Sequence, residues 1–270
     1  MSLQYIGIFD SGLGGLTAVK ELMHLLPKEP IVYFGDTGRV PYGSKSNETI
    51  IKYTKSDIRF LNTFDLKLII VACGTASTIA LPAVSGTLDV PIFGVVDAAA
   101  KAAVCATKNK RIGIIGTAGS VRSGAYAEKI READGEIFTI SGACPLFVPL
   151  VESGFTTGEV AHLVAKEYLT PIKEAGVDTL ILGCTHYPLL ADIIRKVMGD
   201  GVTLIDPGKV TAGFVKEYLK EKGLLCREAR DEQYRFFVSD YPDDFAALGA
   251  RFLQQEIPGG VEKIDIEKYM

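Results

Sequence analysis

The sequence predicts an α/β protein of two pseudo-symmetric lobes, each a mostly parallel sheet flanked by helices, with a functional cleft between them. Three observations lead there. Short Ile- and Val-rich runs alternate with helical patterns, the runs are continuously apolar, and the order restarts near residue 111. Continuous apolar runs suit strands buried on both faces, and strand–helix–strand order suits parallel pairing through crossover helices.

In chain order, "YIGIFD" (5–10) reads as a strand, "LTAVKELMHLL" (16–26) as a helix and "IVYFGD" (31–36) as a second strand. A helical pattern from about Asn47 to Asn62 then leads to a third strand, "LKLIIVAC" (66–73). Further on, "RIGIIGTAGSVRS" (111–123) echoes "YIGIFDSGLGGLT", and "VDTLILGCTH" (177–186) echoes "LKLIIVACGT". The offsets are similar, 106 residues from Gly7 to Gly113 and 111 from Cys73 to Cys184, which indicates a duplicated unit. After "LIDPG" (204–208) come an amphipathic helix, the strand "YRFFVSD" (234–240) and a helix from about Asp243. This tail is too short for a third domain and is expected to return to the first lobe. The expected division is 1–97 with 209–270 for a discontinuous first lobe, and 98–208 for the second.

With 270 residues, 47% of them hydrophobic and 23% charged, the chain can bury roughly 70% of its unfolded surface. A net charge of −4 and the absence of basic runs argue against nucleic acid as a partner. No apolar stretch approaches the roughly 18 residues of a membrane span, and "MSLQYIGIFD" has no leader pattern, so a cytoplasmic protein is expected. Five scattered cysteines fit reduced thiols better than a disulfide framework. With three histidines and no CxxC, no metal site is expected.

Ligands of parallel sheets collect beyond the carboxyl ends of the strands. Asp10-Ser11, Cys73-Gly74-Thr75, Thr117 and Cys184-Thr185-His186 all fall at such ends and would converge if the lobes face one another. A cysteine after an apolar run is ordinarily a small buried hydrophobe, the role expected for Cys105, Cys144 and Cys226. Cys73 and Cys184 differ by their repetition and their polar followers, and His186 is placed to act on the Cys184 thiol. The glycines of "DSGLGGLT" depart from the GxGxxG fingerprint at Thr17 and lack a P-loop Lys-Ser/Thr pair, so they are expected to form a tight turn that aims Asp10 and helix N–H groups at a carboxylate. The loop "RVPYGSKS" (39–46) offers the Tyr42 and Ser44 hydroxyls and N–H donors around Gly43, and Glu152 ends the proline-punctuated "CPLFVPLVESG".

One thiol with a histidine suits nucleophilic catalysis. Two thiols at matching strand ends suit inversion of a chiral carbon, one removing a proton from one face while the other returns a proton to the opposite face. Asp10 is expected near Cys73, and His186 near Cys184.

"IGIFDSGLGGLT", "FGDTGRVPYGSKS", "VACGTAS", "ACPLFVPLVESG", "LGCTHYPLL" and "LIDPG" resemble, in order and over about 200 residues, the bacterial glutamate racemases. The resemblance implies a cofactor-independent two-base isomerase that supplies D-glutamate for peptidoglycan, and a homodimer. It implies that Cys73 serves the D-glutamate face and Cys184 the L-glutamate face, assisted by Asp10, His186 and Glu152. Implied contacts for L- and D-glutamate are Asp10, Ser11, Pro41, Tyr42, Gly43, Ser44, Gly74, Thr75, Thr117, Thr185 and His186. The chain departs from the common Cys-Asn-Thr triplet at Gly74, where closer backbone approach or a water would replace the amide, and a return to Asn is expected to be tolerated. With the first strand beginning near residue 5, no extension of the precursor-activated kind is expected. Rival readings are an aspartate or other amino-acid racemase, a Cys–His hydrolase that would leave Cys73 idle, and a two-lobed binding protein that would leave both thiols idle.

Overall fold

The computed structural model describes residues 4–229 and 233–270. Its strands are β1 (Tyr5–Asp10), β2 (Ile31–Gly35), β3 (Leu66–Val71), β4 (Ile92–Gly94), β5 (Arg111–Gly116), β6 (Phe138–Ala143), β7 (Thr179–Gly183), β8 (Thr203–Ile205), β9 (Tyr234–Val238) and β10 (Val261–Lys263). They form a six-stranded sheet, β10-β9-β2-β1-β3-β4, and a four-stranded sheet, β6-β5-β7-β8. All the strand pairs are parallel.

The duplication legible in the sequence is visible as topology. The order β2-β1-β3-β4 in one sheet recurs as β6-β5-β7-β8 in the other, so Cys73 and Cys184 follow the equivalent strands β3 and β7. The larger sheet adds β9 and β10 beside β2, using chain that follows the second sheet. The positions 97/98 and 208/209 fall inside helices Val95–Ala106 and Pro207–Glu221, which pack on one another.

Every residue of β1, β2, β3 and β7 is buried, as helices on both faces require. The edge strand β6 is half-exposed and accordingly mixes Thr and Ser with its apolar residues. One apolar cluster runs through both lobes, from Ile8 and Leu68 to Ile115 and Leu182. Continuous packing of this kind fixes the strand ends of one sheet against those of the other. Among the described residues no helix is long and apolar enough to cross a membrane.

Candidate active site

The cleft is lined by the carboxyl ends of β1, β3, β5 and β7. On the first lobe, Cys73 caps helix Gly74–Ile79, its sulfur accepting from the Ala76 N–H at 3.5 Å and lying 3.7 Å from Ser11 Oγ. Burial, with the Asp10 charge adding, pushes this thiol up to about 12. Asp10 is buried as well: one oxygen accepts from the Gly12 N–H at 3.1 Å, and Oδ1 has no hydrogen-bond partner. Burial raises the Asp10 carboxyl, opposed by the positive His186 and by backbone N–H groups.

On the second lobe, His186 Nδ1 stands 3.9 Å from Cys184 Sγ, while Nε2 lies 3.0 Å from Glu152 Oε1. Nε2 donates to the Glu152 carboxylate, and Nδ1 either accepts from the Cys184 thiol or, when the ring is charged, donates to its sulfur. Burial opposes that charge, but the bonds to Cys184 and Glu152 outweigh it and raise His186 to about 10. Phe252 packs edge-on against the ring, with centroids 5.3 Å apart, and fixes its plane. Glu152 ends helix Phe147–Glu152 and keeps 44% of its side chain exposed, so solvent moderates its pull on the buried imidazole.

The lobes meet tightly around these groups. Thr75 Oγ1 and Thr117 Oγ1 are 3.0 Å apart across the cleft, and the Thr17 hydroxyl donates to Thr185 O at 3.1 Å. A Cβ at Gly43 would stand 2.8 Å from the Thr117 Cβ, and one at Gly14 would run into the Thr185 hydroxyl and the His186 ring. Gly12, Gly14 and Gly15 have no positive φ. The stretch does make the expected tight turn, closed by the Leu16 N–H on Leu13 O at 3.1 Å, and Gly14 in addition serves close approach between the lobes. Cys73 is 5% and Cys184 8% exposed, so both sulfurs are screened from bulk solvent.

The structure brings together Asp10, Ser11, Cys73, Gly74, Thr75, Thr117, Cys184, Thr185, His186 and Glu152, with Gly43 against Thr117. Pro41 and Ser44 flank this point and are exposed. Tyr42 requires a correction: its hydroxyl turns inward to Asp36 and Asp57 rather than toward the cleft, because a buried phenol must find polar partners. What this turn can offer a ligand is backbone and the exposed Ser44 hydroxyl. Cys144 is buried as expected, but Cys105 is exposed and Cys226 is half-buried with its sulfur 3.2 Å from Lys67 Nζ. Cys105 falls on the solvent side of helix Val95–Ala106, whose buried side carries Ala99, Ala100 and Ala103.

Sequence reasoning missed Thr17, Ser120, Tyr33 and Tyr126. The spacing Thr117-x-x-Ser120 signals the helix cap in which the Ser120 N–H donates to Thr117 Oγ1 at 3.2 Å. Nothing local marks Tyr33, whose hydroxyl fixes Gly12 O at 2.6 Å. Nor does anything mark Tyr126, whose buried hydroxyl has no partner and whose ring meets Gly183 beside Cys184.

A family model for Asp/Glu/hydantoin racemases matches residues 18–215. A glutamate racemase of Geobacter metallireducens is 48% identical over 267 residues, covering 99% of this chain and 98% of the relative. The crystal structure of the Francisella tularensis glutamate racemase in complex with D-glutamate superposes with a TM-score of 0.92 at 39% identity, covering 100% of both chains. That of a Bacillus anthracis glutamate racemase gives 0.92 at 38% identity, over 97% of each chain. The paired sheets and the facing thiols thus sit in a known lineage: the chain belongs to the Asp/Glu/hydantoin racemase family, among its glutamate racemases.

Proposed function

We propose that this chain interconverts L- and D-glutamate by a cofactor-independent two-thiol proton transfer, supplying D-glutamate for peptidoglycan. The observation that carries the reading is the placement of Cys73 and Cys184 after equivalent strands, at opposite walls of one cleft. In the L-to-D direction Cys184, as thiolate beside the imidazolium of His186, takes the α-proton. Cys73, held as a thiol by burial and by Asp10, gives its proton to the opposite face. Product leaves with Cys184 protonated and Cys73 ionised, and the reverse direction begins from that state.

The unpartnered Asp10 Oδ1 suits the substrate ammonium. Hydroxyls of Ser11, Ser44, Thr75, Thr117 and Thr185, with backbone N–H groups around Gly43 and Gly74, suit the two carboxylates. Fixed dipoles at these positions stabilise the charge that develops on the α-carbon and its carboxylate, without reorganising during the reaction. Exclusion of water on closure strengthens each of them.

The same reading covers assembly and location. A homodimer is supported by Leu146, Phe155, Val160 and Leu163, large apolar side chains that are all at least 50% exposed within one short stretch of the second lobe. Five free thiols suit the cytoplasm. Optical rotation of L-glutamate and L-aspartate solutions, with chelator and no added cofactor, tests the activity. Decay with glutamate alone is expected; decay with aspartate alone would transfer the reading to an aspartate racemase, and hydrolysis without racemisation would end it.

A further inference from the structure

Behind the substrate turn lies a buried polar cluster that none of the chemistry above uses. Asp36 and Asp57 are fully buried, and Arg39 and Tyr42 nearly so. Arg39 donates from Nε to Asp36 Oδ2 and from Nη2 to Asp57 Oδ1, both at 2.7 Å. The Ser239 hydroxyl donates to Asp36 Oδ1 at 2.9 Å. The Tyr42 phenol oxygen lies 2.5 Å from Asp36 Oδ2 and 2.9 Å from Asp57 Oδ2.

Proton counting decides the charge state of this cluster. A phenol has one hydrogen and can give it to only one carboxylate. Its other short contact is a hydrogen bond only if the second carboxyl supplies the hydrogen. Asp36 already accepts from Arg39 and Ser239 and is the shorter contact, so Tyr42 donates to Asp36 and a protonated Asp57 donates to the Tyr42 oxygen. One guanidinium then balances one carboxylate, and no uncompensated charge is buried. The raised Asp57 carboxyl agrees: burial is the chief cause and Asp36 adds to it, against the opposing Arg39.

Tyr42 opens the turn Tyr42–Ser44, and the next residue, Gly43, is wedged against Thr117 of the other lobe, with its carbonyl oxygen 3.0 Å from where a Gly119 Cβ would stand. We propose that Asp57, acting with Asp36 and Arg39 through Tyr42, is a positioning residue for the substrate-binding turn 41–44. It sits on helix Asn47–Leu61 and contributes to substrate affinity without touching substrate. The inference rests on the glutamate racemase reading, and it separates affinity from the thiol chemistry: a loosened turn weakens binding while Cys73 and Cys184 stay in place.

The test compares Asp57→Asn, Asp57→Leu and Tyr42→Phe with the parent by racemisation kinetics in both directions and by calorimetric binding of D-glutamate, which needs no turnover. Asp57→Asn can still donate to Tyr42 and accept from Arg39, so KM and Kd within about threefold of the parent are expected. Asp57→Leu is expected to raise both by roughly tenfold with kcat within about threefold. Tyr42→Phe removes a single oxygen, keeps the fold accessible if Asp57→Leu does not fold, and is expected to match it. Parental KM and Kd in a folded Asp57→Leu or in Tyr42→Phe would overturn the proposal, as would an Asp57→Asn protein as weak as Asp57→Leu. A parent that binds D-glutamate without racemising it would defeat the racemase reading and leave this test intact; a parent that does not bind would defeat both.

Discussion

Gly74 and Gly183 touch across the cleft: a Cβ on Gly74 would stand 2.5 Å from the carbonyl oxygen of Gly183. The obstacle is backbone at the end of β7, one residue before Cys184, so it cannot swing aside as a side chain would. Gly74 has no positive φ, and the constraint is one of space rather than of backbone conformation. This corrects the expectation that Asn would be tolerated there. Gly74→Asn and Gly74→Ala are both expected to force the strand ends apart, lowering stability by about 1–3 kcal/mol and reducing kcat/KM by at least roughly tenfold. Thermal unfolding and polarimetry check this; a Gly74→Ala protein with parental Tm and activity would show that the strand ends do not approach this closely.

Replacing either thiol tests the division of labour. L- and D-glutamate have equal free energies in achiral solvent, so forward and reverse kcat/KM must stay equal in any variant. Cys73→Ala and Cys184→Ala should each depress both directions together by at least ~10²–10⁴-fold. Polarimetry started from either enantiomer measures it. A folded Cys73→Ala protein racemising at close to the parental rate would sink the two-thiol mechanism and favour proton transfer by Cys184 alone.

Much of this is legible in the amino-acid sequence. Ile-Gly-Ile and the paired cysteines announced a repeat, and continuous apolar runs announced parallel strands buried on two faces. Both signals survive because burial constrains composition wherever it occurs. What the sequence hid are long-range contacts between polar groups: Tyr33 on Gly12, Thr17 on Thr185, and Tyr42 turned toward Asp57. Tyr42 misled because a tyrosine in a Pro-Gly-Ser loop reads as exposed, whereas Asp36 and Asp57 lie far enough apart in sequence to give no local signal. The close approach at Gly14 and Gly74 was likewise invisible, since a glycine needed for space and one needed for φ look the same.

Glu152 is expected to act on protonation rather than on substrate. Its carboxylate supports the charged His186 from the side opposite Cys184, and its partial exposure limits the effect. Glu152→Gln should lower kcat/KM about tenfold in both directions and move the alkaline limb of the pH profile downward, because a neutral amide holds the imidazolium less firmly. An unchanged alkaline limb would leave Glu152 outside the proton machinery.

His186 also links stability to pH. Its folded-state value is raised from 6.5 to about 10, so the folded protein holds a proton there that the unfolded chain releases. The resulting stabilisation is fully present below about pH 6.5 and is lost as pH rises through about 10. Solvent at the partly exposed Glu152 holds its size to the order of 2 kcal/mol. Cys73 acts in the same direction but higher, between 9 and about 12, because burial makes its thiolate costly in the folded state. Tm of the parent should therefore fall between pH 7 and 10, and His186→Gln should flatten that fall while leaving any loss above pH 10 in place. Denaturant titrations of both proteins at pH 6, 8 and 10 measure the difference; parallel pH profiles would mean that His186 is neutral in the folded protein, and the ion pair with Glu152 would have to be withdrawn.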